Sequence, residues 1–248
     1  MSADVLGLAL GGGGALGAAH VGVLKALQER HIRPSVIAGT SAGALVGAAY
    51  AAGLPVKRIE QLVREATWST FGRLSISPRF GLLDSSALLD TIARIGDEPD
   101  IENLPRRFAA VATDPAARTG VIIDRGPLGA ALRASIAVPG IFPPIPHNGR
   151  MLVDGGLAAN LPIRAARHLG ATHVIGVRLR PEWDRLKIVP DAANVAQLEY
   201  EAGVLVIRPD LTGMSQWSRV DVPRLIGAGY DAAHEALSLN ETSQRGAA

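Results

Sequence analysis

The sequence predicts an α/β protein, a single domain with a mainly parallel central β-sheet flanked by helices. Short apolar, β-branched runs alternate with helix-compatible runs along most of the chain, as in strand-helix-strand units. Two of these units turn on glycine clusters, "LGGGG" at Leu10–Gly14 and "GTSAG" at Gly39–Gly43, where a strand must pass sharply into a helix. The chain has 248 residues, 48% of them hydrophobic, and no linker-like stretch or internal repeat, so one large domain can bury a sizeable core.

In chain order, the apolar run Val5–Leu10 is the first predicted strand, and Ala15–Arg30 follows the first glycine cluster as a helix. Ser35–Gly39, with β-branched Val36 and Ile37, leads through the second cluster into the helix Ala42–Ala52, and Val56–Ala66 is a further helix. "TWSTFGRLSISPRFGLLD", Thr67–Asp84, has no regular pattern, and Ser85–Ile95 returns to a helical one. Strands are expected at Phe108–Thr113 and Val121–Asp124, then a helix at Gly129–Ala137 that Pro139 ends. The strand Met151–Val153, helix Ile163–Leu169, strands Thr172–Leu179 and Val204–Arg208, and helix Val222–Leu239 complete the domain. The domain is expected over residues 1–239, with 240–248 a polar, disordered tail.

Composition excludes several functions. Lys+Arg 25 against Asp+Glu 23 leaves a formal net charge of +2 without a basic run, so no nucleic-acid partner is expected. The absence of cysteine removes disulfides, thiol catalysis and thiolate metal sites. No calcium-loop pattern is present, and neither metal nor cofactor is expected. Val5–Leu24 and Val36–Leu54 lack Asp, Glu, Lys and Arg over a membrane-spanning length. Their glycines, however, sit between a β-type and a helix-type run, which suits buried strand-turn-helix units. Asp4 stands where a signal peptide would carry cations, so a cytoplasmic location is expected.

Gly39-Thr40-Ser41-Ala42-Gly43 has the form G-x-S-x-G between a strand and a helix. This is the pattern of a nucleophile elbow, in which flanking glycines allow close backbone approach and the turn projects the serine hydroxyl. The following helix directs its free N–H groups toward an oxyanion formed there. Ser41 could also be only a small residue in a tight turn. In the first cluster, Gly12, Gly14 and Gly17 fit G-x-G-x-x-G. A dinucleotide site would want an acidic residue after the second strand, and "VIAGTSAG" has none; a phosphate-binding P-loop would want a lysine that neither cluster carries. Gly12, Gly13 and Gly14 can instead turn consecutive amides toward one point as an oxyanion hole, or merely pack a tight turn.

A serine nucleophile needs a base. Of the six histidines, His168, His173 or His234 would complete a triad in the order Ser, Asp, His. The stronger candidate is Asp154 in "RMLVDGGLAANLPI", placed at the end of a short strand with Gly155 and Gly156 freeing the turn. As a direct base it must be desolvated to become more basic. Asp114, followed by Pro115, reads more as a turn former.

Four blocks in order, "GGGGALGAAHVGVLKAL", "GTSAGALVGAAYAAG", "RASIAVPGIFPPI" and "VDGGLAANLP", span about Gly11–Pro162. Together they resemble the patatin-like phospholipase family. The resemblance implies a three-layer α/β/α fold and a Ser-Asp dyad in place of a triad. By motif it makes Ser41 the nucleophile and Asp154 the base, with the oxyanion hole at Gly12, Gly13 and Gly14. Gly17, Gly39, Gly43, Gly155 and Gly156 support the motifs. The implied partner is a lipid or acyl-ester substrate, such as a phospholipid or lysophospholipid, with transient contact at a membrane surface. The family usually carries Arg or Lys where this chain has Leu16, a departure that bears on phospholipid preference more than on ester hydrolysis. A general carboxylesterase or thioesterase with the same dyad, and a non-catalytic lipid-binding protein, stay open at this point.

Trp68, Phe71, Phe80, Leu82 and Leu83 concentrate in the irregular Thr67–Asp84 segment of a chain with only 4% aromatics. They are expected to form either a cap over an acyl-chain entrance or packed core. Arg73 and Arg79 stand there as candidate contacts for anionic head groups.

Overall fold

The computed structural model describes residues 4–66, 73–74, 83–84, 99–179, 195–217 and 220–246. Its elements run β1 (Leu6–Leu10), α1 (Ala19–Glu29), β2 (Val36–Thr40), α2 (Ala42–Ala51), α3 (Val56–Glu65), β3 (Arg73–Leu74), β4 (Leu83–Asp84), β5 (Arg107–Asp114) and β6 (Thr119–Ile123). The second half runs α4 (Leu128–Ser135), β7 (Ile145–His147), β8 (Arg150–Asp154), α5 (Gly156–Ala159), α6 (Ile163–His168), β9 (His173–Val177), α7 (Val195–Leu198), β10 (Val204–Ile207) and α8 (Val222–Gly246). The expected helix at Ser85–Ile95 and most of the Thr67–Asp84 segment lie outside the described residues. The described residues of that segment form the antiparallel pair β3 and β4.

The main sheet has eight strands in the order β10-β9-β1-β2-β5-β8-β7, with β6 also paired to β5. The first five strands of that order are parallel to one another, and β6, β8 and β7 add antiparallel pairs. The sheet is therefore mixed and mostly parallel. Alternation along the strands separates two cores. Leu8, Leu10, Ile37, Phe108 and Ala110 face the larger one with α1, α2 and α8. Ala9, Val36, Ala38, Ala109 and Val111 face a smaller, alanine-rich one with α6.

Three local outcomes depart from the sequence expectation. The helix expected from Ala15 begins as a 3-10 turn, Gly14–Ala18, in which the Leu16 N–H donates to the Gly13 carbonyl (3.2 Å) while the Ala15 N–H donates to the Gln216 carbonyl (2.9 Å). Ile145–His147, outside every strand drawn from the sequence, pairs with β8 at the sheet edge, where Pro146 removes no needed ladder donor. The last helix runs to Gly246, past Asn240, where a tail was expected.

The register on β5 positions the site. β2 occupies one edge of β5 along Arg107–Val111, with Thr40 opposite Val111. β8 takes up the next positions, with Asp154 opposite Ala112 and Val153 opposite Thr113. Because β6 pairs with residues of both stretches, β2 and β8 must share the opposite edge. They meet head to head, each at its carboxyl end. Asp154 thus ends an antiparallel strand, not a parallel one, and faces the turn that follows β2.

Candidate active site

Ser41 follows β2 directly and caps α2 with φ 52° and ψ −120°. A non-glycine residue rarely adopts positive φ, and the conformation persists only where its surroundings over-determine it. Here they do. The Ser41 N–H donates to Ser135 Oγ (2.8 Å), and the Ser41 carbonyl accepts from the N–H groups of Ala44 and Leu45 (2.9 and 3.2 Å). A Cβ on Gly43 would lie 2.1 Å from the Leu10 carbonyl oxygen, so only glycine lets α2 approach β1 this closely. Ser41 itself is 7% exposed.

Asp154 is 3% exposed. Its N–H donates to the Ala137 carbonyl (2.9 Å), and its carbonyl accepts from Thr113 Oγ1 (2.8 Å). Oδ1 accepts from the Gly156 N–H (2.7 Å), whereas the buried Oδ2 has no hydrogen bond of regular geometry. Burial pushes the carboxyl pKa up from 3.8 to about 6, against the opposing pull of the Ser41 hydroxyl and the Gly156 N–H. The hydroxyl is thus near enough to act on the carboxyl without being closed onto Oδ2. Such contacts often tighten only in a substrate complex.

The glycine loop lies against the elbow. A Cβ on Gly12 would lie 3.3 Å from the Ser41 Cβ, and one on Gly17 would lie 2.6 Å from the Ala42 Cβ. The Gly11 N–H donates to Val177 O (3.0 Å) and the Gly12 N–H to Asn160 O (3.1 Å). Of the three donors expected from sequence at an oxyanion hole, Gly12 thus has its N–H on a backbone carbonyl. The Gly13 and Gly14 N–H groups make no hydrogen bond among the described residues. Gly14, at φ +57°, also faces the Gln216 carbonyl, which a Cβ would approach to 2.7 Å. His20 anchors the loop from below, its Nε2 2.8 Å from the Gly11 carbonyl. Complete burial lowers the His20 pKa to about 4, partly countered by that bond, so the neutral ring donates from Nε2. Leu16 is buried in the larger core.

The alternative bases are engaged elsewhere. His168 Nε2 pairs with Asp124 (3.0 Å), His173 Nδ1 lies 3.9 Å from Asp4, and His234 Nε2 is 3.3 Å from Glu29. Asp114 Oδ1 accepts from the N–H groups of Ala116 and Ala117, each at 3.0 Å, as a turn former does. Sequence reasoning missed Ser135, Thr113, Asn160 and His20 as site residues. The only sequence signal was the presence of polar residues inside otherwise apolar blocks, "RASIAVPG" and "GLAANLP" among them. No cluster of three or more His, Asp or Glu able to hold a metal occurs among the described residues. No described helix is long and apolar enough to cross a membrane.

The family model described as patatin-like phospholipase matches residues 8–167. An uncharacterized NTE family protein of Mycobacterium tuberculosis is 42% identical over 181 residues, covering 72% of this chain and 50% of its own length. The human patatin-like phospholipase domain-containing protein 6 is 35% identical over 184 residues, 71% of this chain and 13% of its own. The chain therefore spans about half the length of the mycobacterial relative and a small part of the human one. Among solved structures, VipD from Legionella pneumophila superposes with a TM-score of 0.63 at 15% identity, covering 96% of this chain and 67% of VipD. The type III effector ExoU gives 0.52 at 16% identity, covering 96% of this chain and 53% of ExoU. These two similarities concern the fold.

Proposed function

This chain belongs to the patatin-like phospholipase family, and on that premise we propose that it is a serine acyl hydrolase working through a Ser41-Asp154 dyad on esters of phospholipids, lysophospholipids or related lipids. What supports the reading is the place of the buried Asp154 carboxyl, at the head-to-head meeting of β8 and β2 and facing the Ser41 turn, where burial pushes its pKa up to about 6. Such a carboxyl is mostly ionised at pH 7 yet more basic than an ordinary aspartate, which suits it to take a proton from serine.

Ser41 Oγ attacks the ester carbonyl carbon while Asp154 accepts the hydroxyl proton. The tetrahedral oxyanion is received by the Gly13 and Gly14 N–H groups, which need no reorganisation to donate. The intermediate collapses, the C–O bond to the alcohol breaks, and Asp154 returns its proton to the leaving oxygen. Water then attacks the acyl-serine with Asp154 again as base, releasing the fatty acid and restoring Ser41.

The test is intact mass after incubation with a fluorophosphonate, alongside hydrolysis of a short-chain nitrophenyl ester, for wild type, Ser41→Ala and Asp154→Asn. One adduct on wild type, none on Ser41→Ala and slow labelling of Asp154→Asn are expected. A folded wild type that stays unlabelled and inert would leave "GTSAG" as a turn and favour a lipid-binding role.

A further inference from the structure

Ser135 is the last residue of α4 and is fully buried. Its Oγ accepts the Ser41 N–H (2.8 Å) and donates to the Val111 carbonyl (2.6 Å). The direction of both bonds follows from chemistry alone. An amide N–H can only donate, so the single hydroxyl proton goes to the carbonyl. The Ser135 carbonyl in turn accepts from the Gly155 N–H (3.3 Å), and Ala137, just beyond, accepts from the Asp154 N–H (2.9 Å). Val111 is the β5 residue opposite Thr40, and its neighbour Ala112 is opposite Asp154. One short stretch of chain therefore grips the nucleophile's backbone, the base's backbone and the seam of β5 between them.

We infer that Ser135 is a positioning residue that sets the separation of Ser41 from Asp154 and diverts the Ser41 N–H away from the oxyanion site. Ser41 holds a backbone conformation that few residues occupy, and Ser135 Oγ is the acceptor on its N–H. Without that acceptor the elbow has a buried, unpaired donor and a reason to rotate. Rotation would displace the hydroxyl from Asp154, a misplacement that lowers the rate of the chemical step without touching the substrate contacts that set affinity. The inference rests on the serine hydrolase reading above.

The experiment compares wild type and Ser135→Ala in nitrophenyl ester kinetics and in the rate of fluorophosphonate labelling, each normalised to the folded fraction. The expected result is a fall in kcat of about tenfold to a hundredfold with KM within about twofold, matched by slower labelling. Wild-type kcat per folded molecule with only a lower melting temperature would make Ser135 merely structural and overturn the inference, as would a change confined to KM. Should Ser135→Ala not fold, Ser135→Cys keeps a small, weakly hydrogen-bonding group and is read in the same way, a loss of about threefold to tenfold supporting the inference and full kcat overturning it. A wild type that neither labels nor turns over removes the functional reading itself and this inference with it. A reactive wild type beside an equally reactive variant removes the inference alone.

Discussion

The elbow and the glycine loop are the same local construction, a parallel strand turned through glycine into a helix, yet they treat their backbone N–H groups oppositely. At the elbow, the Ser41 N–H is taken by Ser135. At the loop, Gly11 and Gly12 donate to neighbouring strand and loop carbonyls while Gly13 and Gly14 have no acceptor among the described residues. A nucleophile needs a fixed direction, whereas an oxyanion needs donors that are waiting. Glycine serves the first by permitting close packing and the second by leaving amides uncovered.

The sharpest way to break this contrast is at Asp154, the proposed base, toward which the closed turn holds Ser41. Asp154→Asn is expected to lower kcat/KM about 1,000-fold, and the wild-type rate should fall about tenfold per pH unit below about 6 as the carboxyl protonates. The same change should stabilise the protein at pH 8. The folded pKa of about 6 exceeds the ordinary 3.8, so the favourable contribution of Asp154 is fully present below 3.8 and is lost as pH rises through about 6. Thermal unfolding should find the variant more stable by on the order of a few kcal/mol at pH 8 and no advantage near pH 3.5. An Asp154→Asn variant that melts no higher at pH 8 would mean the carboxyl is not desolvated.

Next in size is Gly43→Ala, which drives a methyl into the Leu10 backbone. A loss of about 3 kcal/mol or failure to fold is expected, and an unchanged melting curve would show that the elbow is not closed as described. At the loop the effect should move from stability to rate. Gly14→Ala forces a side chain onto positive φ against Gln216 and should lower kcat by about tenfold to a hundredfold, with a stability loss on the order of 2 kcal/mol; an unchanged kcat per folded molecule would erase the distinction. Smallest is His20→Phe, which removes the bond to Gly11 and should lower stability by about 1 kcal/mol at pH 7. The His20 pKa of about 4 lies below the ordinary 6.5, so its wild-type contribution is present above 6.5 and is lost as pH falls through 4. The deficit of the variant, followed by denaturant unfolding, should therefore shrink and then reverse on acidification.

Both glycine turns were legible in the sequence because the signal is local: closely spaced glycines between a β-type and a helix-type run fix a turn without reference to the rest of the chain. The strands leading into them were found within a residue or two for the same reason. The antiparallel sense of β8 was not legible, since "MLVD" reads identically in either direction and its pairing with β5 is decided by residues far away. Nor was the hydrogen bond of the Gly12 N–H, which depends on where the Asn160 carbonyl falls. Ser135 was hidden as a small residue at a helix end, its importance residing in partners 94 and 24 positions distant.

The head-to-head meeting of β2 and β8 also has a consequence in time. A ribosome delivers the elbow, the glycine loop and β5 before it delivers β8, and contacts of large sequence separation close slowly because a long loop must be ordered first. The elbow can form while its acceptor Ser135 and its base are still unmade, so an emerging chain carries a serine with no proton acceptor. On the dyad reading proposed above, hydrolytic competence would arrive only when Arg150–Asp154 docks along β5, in the same step that completes this edge of the sheet.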